Sequence, residues 1–485
     1  MNILLTPSLL IDSLLYQGVD LKRLIILRKV SVKWRNICET FPVKRNTSLT
    51  VRNNDIKFLK SVPWICILKL MYCISLDNME QILTLDNLRI FELTGCRSLK
   101  NLNPLSGIFS LRSLKLNDCN LIKDLSPLST LSDLKSLEIS GCPLINDLKP
   151  LQSLDNLKIL ELGGHWALRD ITPLSALRNL TRLEIGYCPS LVNIEPLSNL
   201  HSLKVLDIQG CPLVADITPL SGLINLNSLE LCSFSMLRDL SPLSEMNNLR
   251  SLCLSWCPLI EDLRPLSTLL KLRFLDIQSC HSLKDLTPLS KLPNLICLSL
   301  SDLRSVGDLT PVSSLINLKI LELSGCNSFK DLSFIVPLSN LIYLKLQECA
   351  SLKDLSCISH LSNLVNLNLW YSTSMIDDLT PLSSLNNLQN LELFNFSYLE
   401  DLTFLSPLYN LQSLTIRNSP QINDLSPMAY LHNLVSLELC GCELLVELTP
   451  LLKLYNLRKL ELWDCPSIKD FSILGNLVDV DIVDY

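Results

Sequence analysis

The chain has 485 residues, enough for about three domains of ordinary size, yet 118 are Leu and only five are Ala. That ratio excludes a set of ordinary mixed cores and points to one apolar position used again and again. Charged residues are 19% and the net charge is −6, which excludes a highly charged disordered chain. Residues 1–50 carry eight Lys/Arg against three Asp/Glu, net +5, leaving −11 for the remainder. The acidic bulk argues against a nucleic-acid partner, which calls for a basic face. No run reaches 18 apolar residues, so no membrane helix is expected. Met1–Ile11 is apolar but lacks a basic leader and is interrupted by Asp12, so no secretory signal is expected. The sequons at Asn46, Asn179 and Asn395 then read as chance matches. The expected compartment is the cytoplasm or nucleus, of a host cell if the gene is viral.

Residues 1–45 read as three short helices. Thr6-Pro7 gives a capped start, followed by Leu10, Ile11, Leu14 and Leu15 at helical spacing. Asp20 can cap a second helix bearing Leu21, Leu24, Ile25 and Leu27, and a third holds Val30, Trp34 and Ile37. So small a domain makes a poor independent core, and its apolar surface is expected to meet a partner or the segment that follows. Residues 46–54 read as a linker or capping strand.

From residue 55 to 485 the chain repeats with a period of 23. Pro recurs at Pro104, Pro127, Pro150, Pro173, Pro196, Pro219, Pro242, Pro265, Pro288 and Pro311 without a slip. The register passes through Phe334 and Cys357, gains one residue, and resumes at Pro381, Phe404, Pro427 and Pro450. One copy reads Leu134-Lys-Ser-Leu137-Glu-Ile139-Ser-Gly-Cys142-Pro-Leu144-Ile-Asn-Asp147-Leu148-Lys-Pro150-Leu151-Gln-Ser-Leu154-Asp-Asn156, and about 18 copies follow one another. The L-x-x-L-x-L core predicts a short strand with the Leu at its fourth and sixth positions inward and the residues between them outward. Ser/Thr-Pro predicts a hydroxyl N-cap with Pro at the first position of a short helical turn. These nine pairs also resemble proline-directed phosphorylation sites, but periodicity accounts for all of them. The Asn before each strand (Asn156, Asn179, Asn225, Asn248, Asn294, Asn317) can bond neighbouring backbone. Stacking then builds a core that no single copy could form. The pattern is that of leucine-rich repeats, and the fold class expected is an α/β leucine-rich repeat solenoid, with a parallel sheet on its concave face, after a small three-helix domain.

Twelve of the 19 Cys share one slot: Cys73, Cys96, Cys119, Cys142, Cys188, Cys211, Cys257, Cys280, Cys326, Cys349, Cys442 and Cys465. In leucine-rich repeats this slot takes a small side chain turned in beneath the strand end. Stacked copies pointing the same way are poorly placed for disulfides, so buried reduced thiols are expected. The five His offer no metal-ligand spacing with them.

Residues 1–45 resemble an F-box. The likeness rests on Ile11, Leu15, Tyr16, Val19, Leu21, Leu24, Ile25, Leu27, Val30 and Trp34, including the V-x-x-x-W ending Val30-Ser-Val-Lys-Trp34. The family's Leu-Pro-acidic opening is missing; Pro7 stands near its place, with Ser8 and Leu9 after it. An F-box-like segment directly ahead of a Cys-slotted array is the arrangement of F-box/leucine-rich repeat proteins. The resemblance implies a substrate receptor of a Skp–cullin–F-box (SCF) ubiquitin ligase. Ile11, Leu15, Leu21, Leu24, Leu27, Val30 and Trp34 would grip the Skp-family adaptor, through it the cullin, and the repeats would hold the target protein. The repeats themselves are shorter than those common in that family and closer to the internalin-like class. The alternative is a scaffold unrelated to ubiquitin, similar to internalin-like or phosphatase-regulating arrays, in which the N-terminal helices cap the repeats.

No P-loop, G-x-G-x-x-G, G-x-S-x-G or H-E-x-x-H is present. Cys38, Cys66, Cys232, Cys253, Cys297, Cys357 and Cys440 lie outside the slot without a nearby His, and the last copy is truncated at Leu477–Ile482, leaving no expected room for a catalytic domain. The expectation is a non-enzyme with no cofactor or metal, binding neither nucleic acid nor membrane.

Two target-binding features are expected on the outward strand face. The first is an acidic column containing Glu138, Glu161, Glu184, Asp207 and Glu230, offset by Lys135, Lys158 and Lys204 at the strand entrance. The second is an aromatic group of Tyr343, Trp370, Tyr371 and Phe394, where the register gains its residue and the slot passes to Ser372 and Phe396. The extra residue is expected to bulge the strand end and re-aim Trp370 and Tyr371, while Phe396 can refill the Cys pocket. Trp256 and Phe274 form an expected second patch.

Overall fold

A computed structural model describes residues 48–52, 56–327, 329–370, 376, 378–470, 475 and 481–484. The expected F-box residues Ile11, Leu15, Leu21, Leu24, Leu27, Val30 and Trp34 lie outside the described residues, as do Tyr371 and Ser372. Each copy lays down one five-residue strand, such as Ser136–Ser140, in which two inward side chains are buried and three outward ones half-buried. This is the period-two alternation the Leu spacing predicts. Leu137 and Ile139 have no exposed surface, and neither do Leu160 and Leu183, the register neighbours of Leu137 in the next two strands. Removing one such Leu would cost about 2–5 kcal/mol, because neighbours fixed by their own copies cannot collapse into the gap.

The strands belong to two units. The first runs to Cys211 and the second starts at Pro212. In the first, parallel pairing proceeds copy by copy from Ser48–Val51 to Val205–Gln209. In the second it proceeds from Ser228–Cys232 to Asp481–Asp484. Ser48 pairs with Ile67 and Lys459 with Asp481. Among the described residues the first strand therefore starts at Ser48, ahead of the expected repeat boundary at residue 55, and the first and last strand-to-strand spacings are shorter than 23 residues.

The return path of each copy is a 3-10 turn rather than an α-helical one, as in Ser126–Thr130, Thr172–Ala176 and Thr287–Lys291. The expected hydroxyl cap is corrected. The residue before the turn is a Leu or Ile that makes no side-chain cap bond, and the Ser/Thr is already inside the turn, with Pro after it. The acceptor comes from an Asp two residues ahead of the Ser/Thr. Asp124 Oδ1 takes the Ser126 amide, Asp170 the Thr172 amide and Asp285 the Thr287 amide, each at 2.8 Å. The hydroxyl donates to the same Asp rather than accepting, as from Ser241, Thr310 and Thr403 to Asp239, Asp308 and Asp401. Burying the Leu or Ile leaves the flanking Asp as the nearest side chain able to turn back in an Asx turn.

Two further devices close each copy. The Asn before a strand reaches back to the preceding copy: Asn156 Nδ2 donates to Ser132 O at 3.0 Å, Asn294 to Leu270 O at 2.8 Å and Asn317 to Pro293 O at 2.9 Å. At the other end, the residue after the strand is left-handed at every described position from Tyr72 to Asp464, with φ between 51° and 72°. Eleven of these are not Gly, so the turn is imposed by the stack. Gly95 has a second reason: a Cβ there would lie 2.6 Å from Cδ1 of the Tyr72 ring.

The extra residue near Trp370 does not bulge the strand. Asn366–Trp370 pairs in full register with Tyr343–Gln347 on one side and Asn390–Phe394 on the other. The spacing from 3-10 turn to strand is the same before and after it, Ser356 to Asn366 and Thr380 to Asn390. The insertion therefore falls between Trp370 and Thr380, and the expected re-aiming of Tyr371 lies outside the described residues.

The Asp caps generate a pH-dependent prediction. The Thr287 hydroxyl, and then its amide, hold the Asp285 carboxyl below the usual carboxylate range. Its contribution is complete above the unfolded carboxyl pKa and disappears as pH falls through the lower folded value. Asp285→Ala should lose about 0.5–1 kcal/mol at pH 7, a range kept small because the group is exposed. Asp285→Asn, which keeps the acceptor oxygen, should lose less. Urea midpoints at pH 7 and pH 2.5 check this: the gap between the Asn variant and the parent should close at the acid end.

Candidate functional site

The outward positions of the strands form a surface whose side chains the core does not use. Neighbouring strands about 4.8 Å apart cover each side chain's flanks, so these residues are half-buried and act on one another. In the first unit, Lys115, Glu138, Glu161, Glu184 and Asp207 are successive register neighbours. The offsetting charges differ from those expected. Lys135, Lys158 and Lys204 are exposed just ahead of their strands and form no ion pair among the described residues. Cations on the face itself serve instead: Lys69 meets Glu92 at 2.8 Å, Lys115 meets Glu138 at 2.5 Å, and Arg182 lies 3.1 Å from Glu184 and 3.7 Å from Glu161. The strand-entrance lysines sit too far upstream along the strand to compete. Glu230 belongs to the second unit, where its register neighbour is Cys253.

Glu161 bears the strain of this column. Burial raises its pKa first, Glu184 and Glu138 raise it further, and Arg182 and Lys115 oppose them. Glu138 holds Lys115 protonated to higher pH through their hydrogen bond.

In the second unit the structure brings together Trp370 and Phe394, while Tyr343 sits at the far end of the strand before Trp370. The Trp370 and Phe394 rings lie 5.5 Å apart with 32° between their planes. Trp370 Nε1 donates to Glu392 at 3.3 Å, and Lys345 Nζ stands 5.4 Å from the Trp370 ring centre, within cation–π range. Tyr343 opens the strand that borders Trp370, four residues ahead of Gln347, the register partner of Trp370, and its hydroxyl accepts from Asn368 at 3.5 Å. Burial, then Glu322 and Glu392, push the Tyr343 hydroxyl's pKa up. Phe396 fills the slot that Cys holds elsewhere and is only 2% exposed.

Sequence reasoning missed the polar contacts that flank the rings along these strands. Asn366 and Asn390 are bonded at 2.6 Å, and Arg417 reaches Glu438 at 2.6 Å. A signal was available: at Lys345, Asn368 and Thr415 the acidic column is interrupted. The expected second patch divides. Phe274 opens its strand, whereas Trp256 follows the end of the neighbouring strand in the left-handed position. They are separated by roughly 16 Å of strand, although both are exposed.

The Cys slot is a hydrogen-bonding position. Cys96, Cys142, Cys257 and Cys280 donate to the carbonyls of Leu70, Leu116, Leu231 and Leu254 in the preceding copy, at 3.5–3.7 Å. His165 takes the same place: its Nε2 lies 3.0 Å from Ile139 O and its Nδ1 3.1 Å from Cys142 O. Burial pushes the thiols of Cys142 and Cys326 up to about 11, which keeps them protonated and unreactive at neutral pH. Among the described residues, no group of three or more His, Cys, Asp and Glu is placed to hold a metal ion. No helix among them is long and apolar enough to cross a membrane.

The fold is a leucine-rich repeat fold. The family described as plant disease resistance protein RPS2-like, leucine-rich repeats, matches residues 166–307. Among solved structures, the chain resembles the leucine-rich repeat protein LIC12759 of Leptospira interrogans, at 19% identity over 90% of this chain and 100% of that one, TM-score 0.56. It also resembles TLR13 in its complex with ssRNA13, at 18% identity over 90% and 80% of the chains, TM-score 0.53. Internalin InlF of Listeria monocytogenes aligns at 23% identity over 73% and 88%, TM-score 0.47. No curated protein matches the sequence.

Because Glu161 has a raised pKa, the folded state disfavours its charge. The penalty is present at pH 7 and fades as pH drops through the raised folded value to below the unfolded one. Glu161→Gln should therefore raise the urea midpoint at pH 7 and leave it unchanged at pH 3, where both forms are neutral. A lower midpoint at pH 7 would mean that attraction to Arg182 outweighs burial and the flanking acids.

Proposed function

We propose that this protein is a non-enzymatic, intracellular receptor that holds another protein against the outward face of its strands. In the finer reading it is the target-recognition subunit of an SCF-type ubiquitin ligase. The observation that carries the binding role is the Trp370–Phe394 pair beside Lys345 and Arg417. Half-exposed aromatic rings framed by satisfied polar groups are the usual anchors of a protein interface. The ubiquitin-ligase role rests on the F-box likeness of residues 1–45, with Leu24, Leu27, Val30 and Trp34 gripping a Skp-family adaptor and, through it, a cullin. The alternative, a scaffold whose N-terminal segment caps the repeats, draws on the short internalin-like repeat length.

Two experiments separate these claims. Trp370→Ser combined with Phe394→Ser should keep the far-UV spectrum and adaptor binding while weakening target capture about 100-fold or more, as for paired hot-spot residues. An unchanged set of affinity-purified partners would place the target elsewhere. Deleting residues 1–45 should keep target capture and abolish recovery of adaptor and cullin. If the shortened chain folds and still recovers both, the ubiquitin-ligase reading is wrong.

Compartment has its own check. Thiol counting on denatured protein, alkylated at lysis, should find nearly all 19 cysteines reduced. Several intramolecular disulfides would instead indicate an oxidising compartment.

A further inference from the structure

A second surface, at the edge where the strands begin, carries charge of the opposite sign. In the second unit, Arg250, Lys271, Arg273 and Asn294 line a cavity of about 160 Å³ at the lip where the strands begin. Arg250 and Arg273 occupy the same place in adjacent copies, since the Arg273 amide donates to Arg250 O at 2.8 Å. The residues on either side in that column, Asn227 and Ile296, are neutral. The acidic column thins beside the cavity to Asp276 alone, between Cys253 and Ser299, and Gln278 Nε2 donates to Asp276 at 2.8 Å.

Nothing described neutralises the three cations. No ion pair among the described residues involves Arg250, Lys271 or Arg273. Lys271 is oriented by a neutral acceptor, Asn248 Oδ1 at 2.8 Å, which fixes its direction without quenching its charge. Asn248 is itself tied to Ile224 O at 3.0 Å. Asn294 Nδ2 gives one hydrogen to Leu270 O at 2.8 Å, and its amide has a second to give. Held together against mutual repulsion, such charges cost stability unless an anion joins them.

We propose that this cavity binds a phosphate monoester carried on a side chain of the protein that the strand face receives. Two guanidinium groups, one ammonium and an amide N–H offer more donors than a single carboxylate can accept. They suit a dianion with three terminal oxygens. The Phe274 ring, 47% exposed, opens the strand that follows Arg273 and gives the carrying segment an apolar surface to cross. The assignment of a protein carrier rests on the binding role proposed above; the anion site itself does not.

The test is calorimetric titration of the full chain at low salt with inorganic phosphate, O-phosphoserine and tetraglutamate. O-phosphoserine should bind at least as tightly as inorganic phosphate, compete with it, and exceed tetraglutamate. Arg250→Gln and Arg273→Gln should each weaken it about tenfold, the effect of losing one charge-assisted hydrogen bond. Lys271→Gln, at an exposed position, gives an independent variant, and urea midpoints verify that all three fold. The proposal is overturned by absence of phosphate binding, by unchanged affinity in the variants, or by tetraglutamate binding as tightly as O-phosphoserine. Inorganic phosphate binding more than tenfold tighter than the monoester would overturn the side-chain source. Because every probe is a small molecule, failure of partner capture at Trp370 and Phe394 leaves these outcomes readable.

Discussion

Parallel strands exchange backbone hydrogen bonds only while neighbouring copies stay in register, and a five-residue strand has few bonds to exchange. Every recurring feature of this chain serves the backbone groups that such a short strand leaves over. The left-handed residue after the strand extends the ladder by one bond, as Asp118 N does to Ser140 O and Gly141 N to Gly163 O. Its positive φ then turns the chain inward and buries the next residue, whose Cys or His side chain bonds a carbonyl of the copy before. Asp closes the 3-10 turn and Asn ties the return path to its predecessor. Leu fills what remains, because a column of identical inward positions rewards one shape that stacks on itself.

The same constraint explains which parts of the molecule were legible in the sequence. Strand position, inward Leu, slot burial and Asn bonding all follow from side-chain type and a fixed period, and the structure agrees. The cap was misassigned because Ser126 and Asp124 both have the chemistry for it. The choice is made by Leu125, whose burial puts the hydroxyl inside the turn. The bulge was misplaced for a related reason. Counting residues showed one insertion near Trp370, but only the register of the neighbouring strands places it after Trp370 rather than within Asn366–Trp370.

The outward face was legible only by column. Period two and period 23 together say that Glu138, Glu161 and Glu184 lie in one line, and they do. Those periods do not say which cations answer them, because that depends on side-chain reach between columns. Arg182 settles between Glu161 and Glu184 from a different column, whereas Lys158, nearer in sequence to Glu161, is exposed ahead of its strand and forms no ion pair among the described residues. The Trp370 contacts are equally non-local: its partners Lys345, Glu392 and Phe394 come from the strands on both sides.

This separation of duties decides where new binding chemistry can arise. An inward substitution disturbs a core in which each side chain is held by neighbours from two other copies, and its cost is several kcal/mol. An outward substitution changes charge or shape without touching a ladder bond, so it costs little and is felt mainly by its column neighbours. The column opposite Glu138 shows the consequence. It is acidic at Glu161, Glu184 and Asp207, sulfur-bearing at Cys253, hydroxylic at Ser299 and cationic at Lys345, on strands with the same burial pattern up to the flanking positions. One fold thus carries an acidic stretch in its first unit and, in its second, a cationic lip and an aromatic anchor, each built from residues the core does not need.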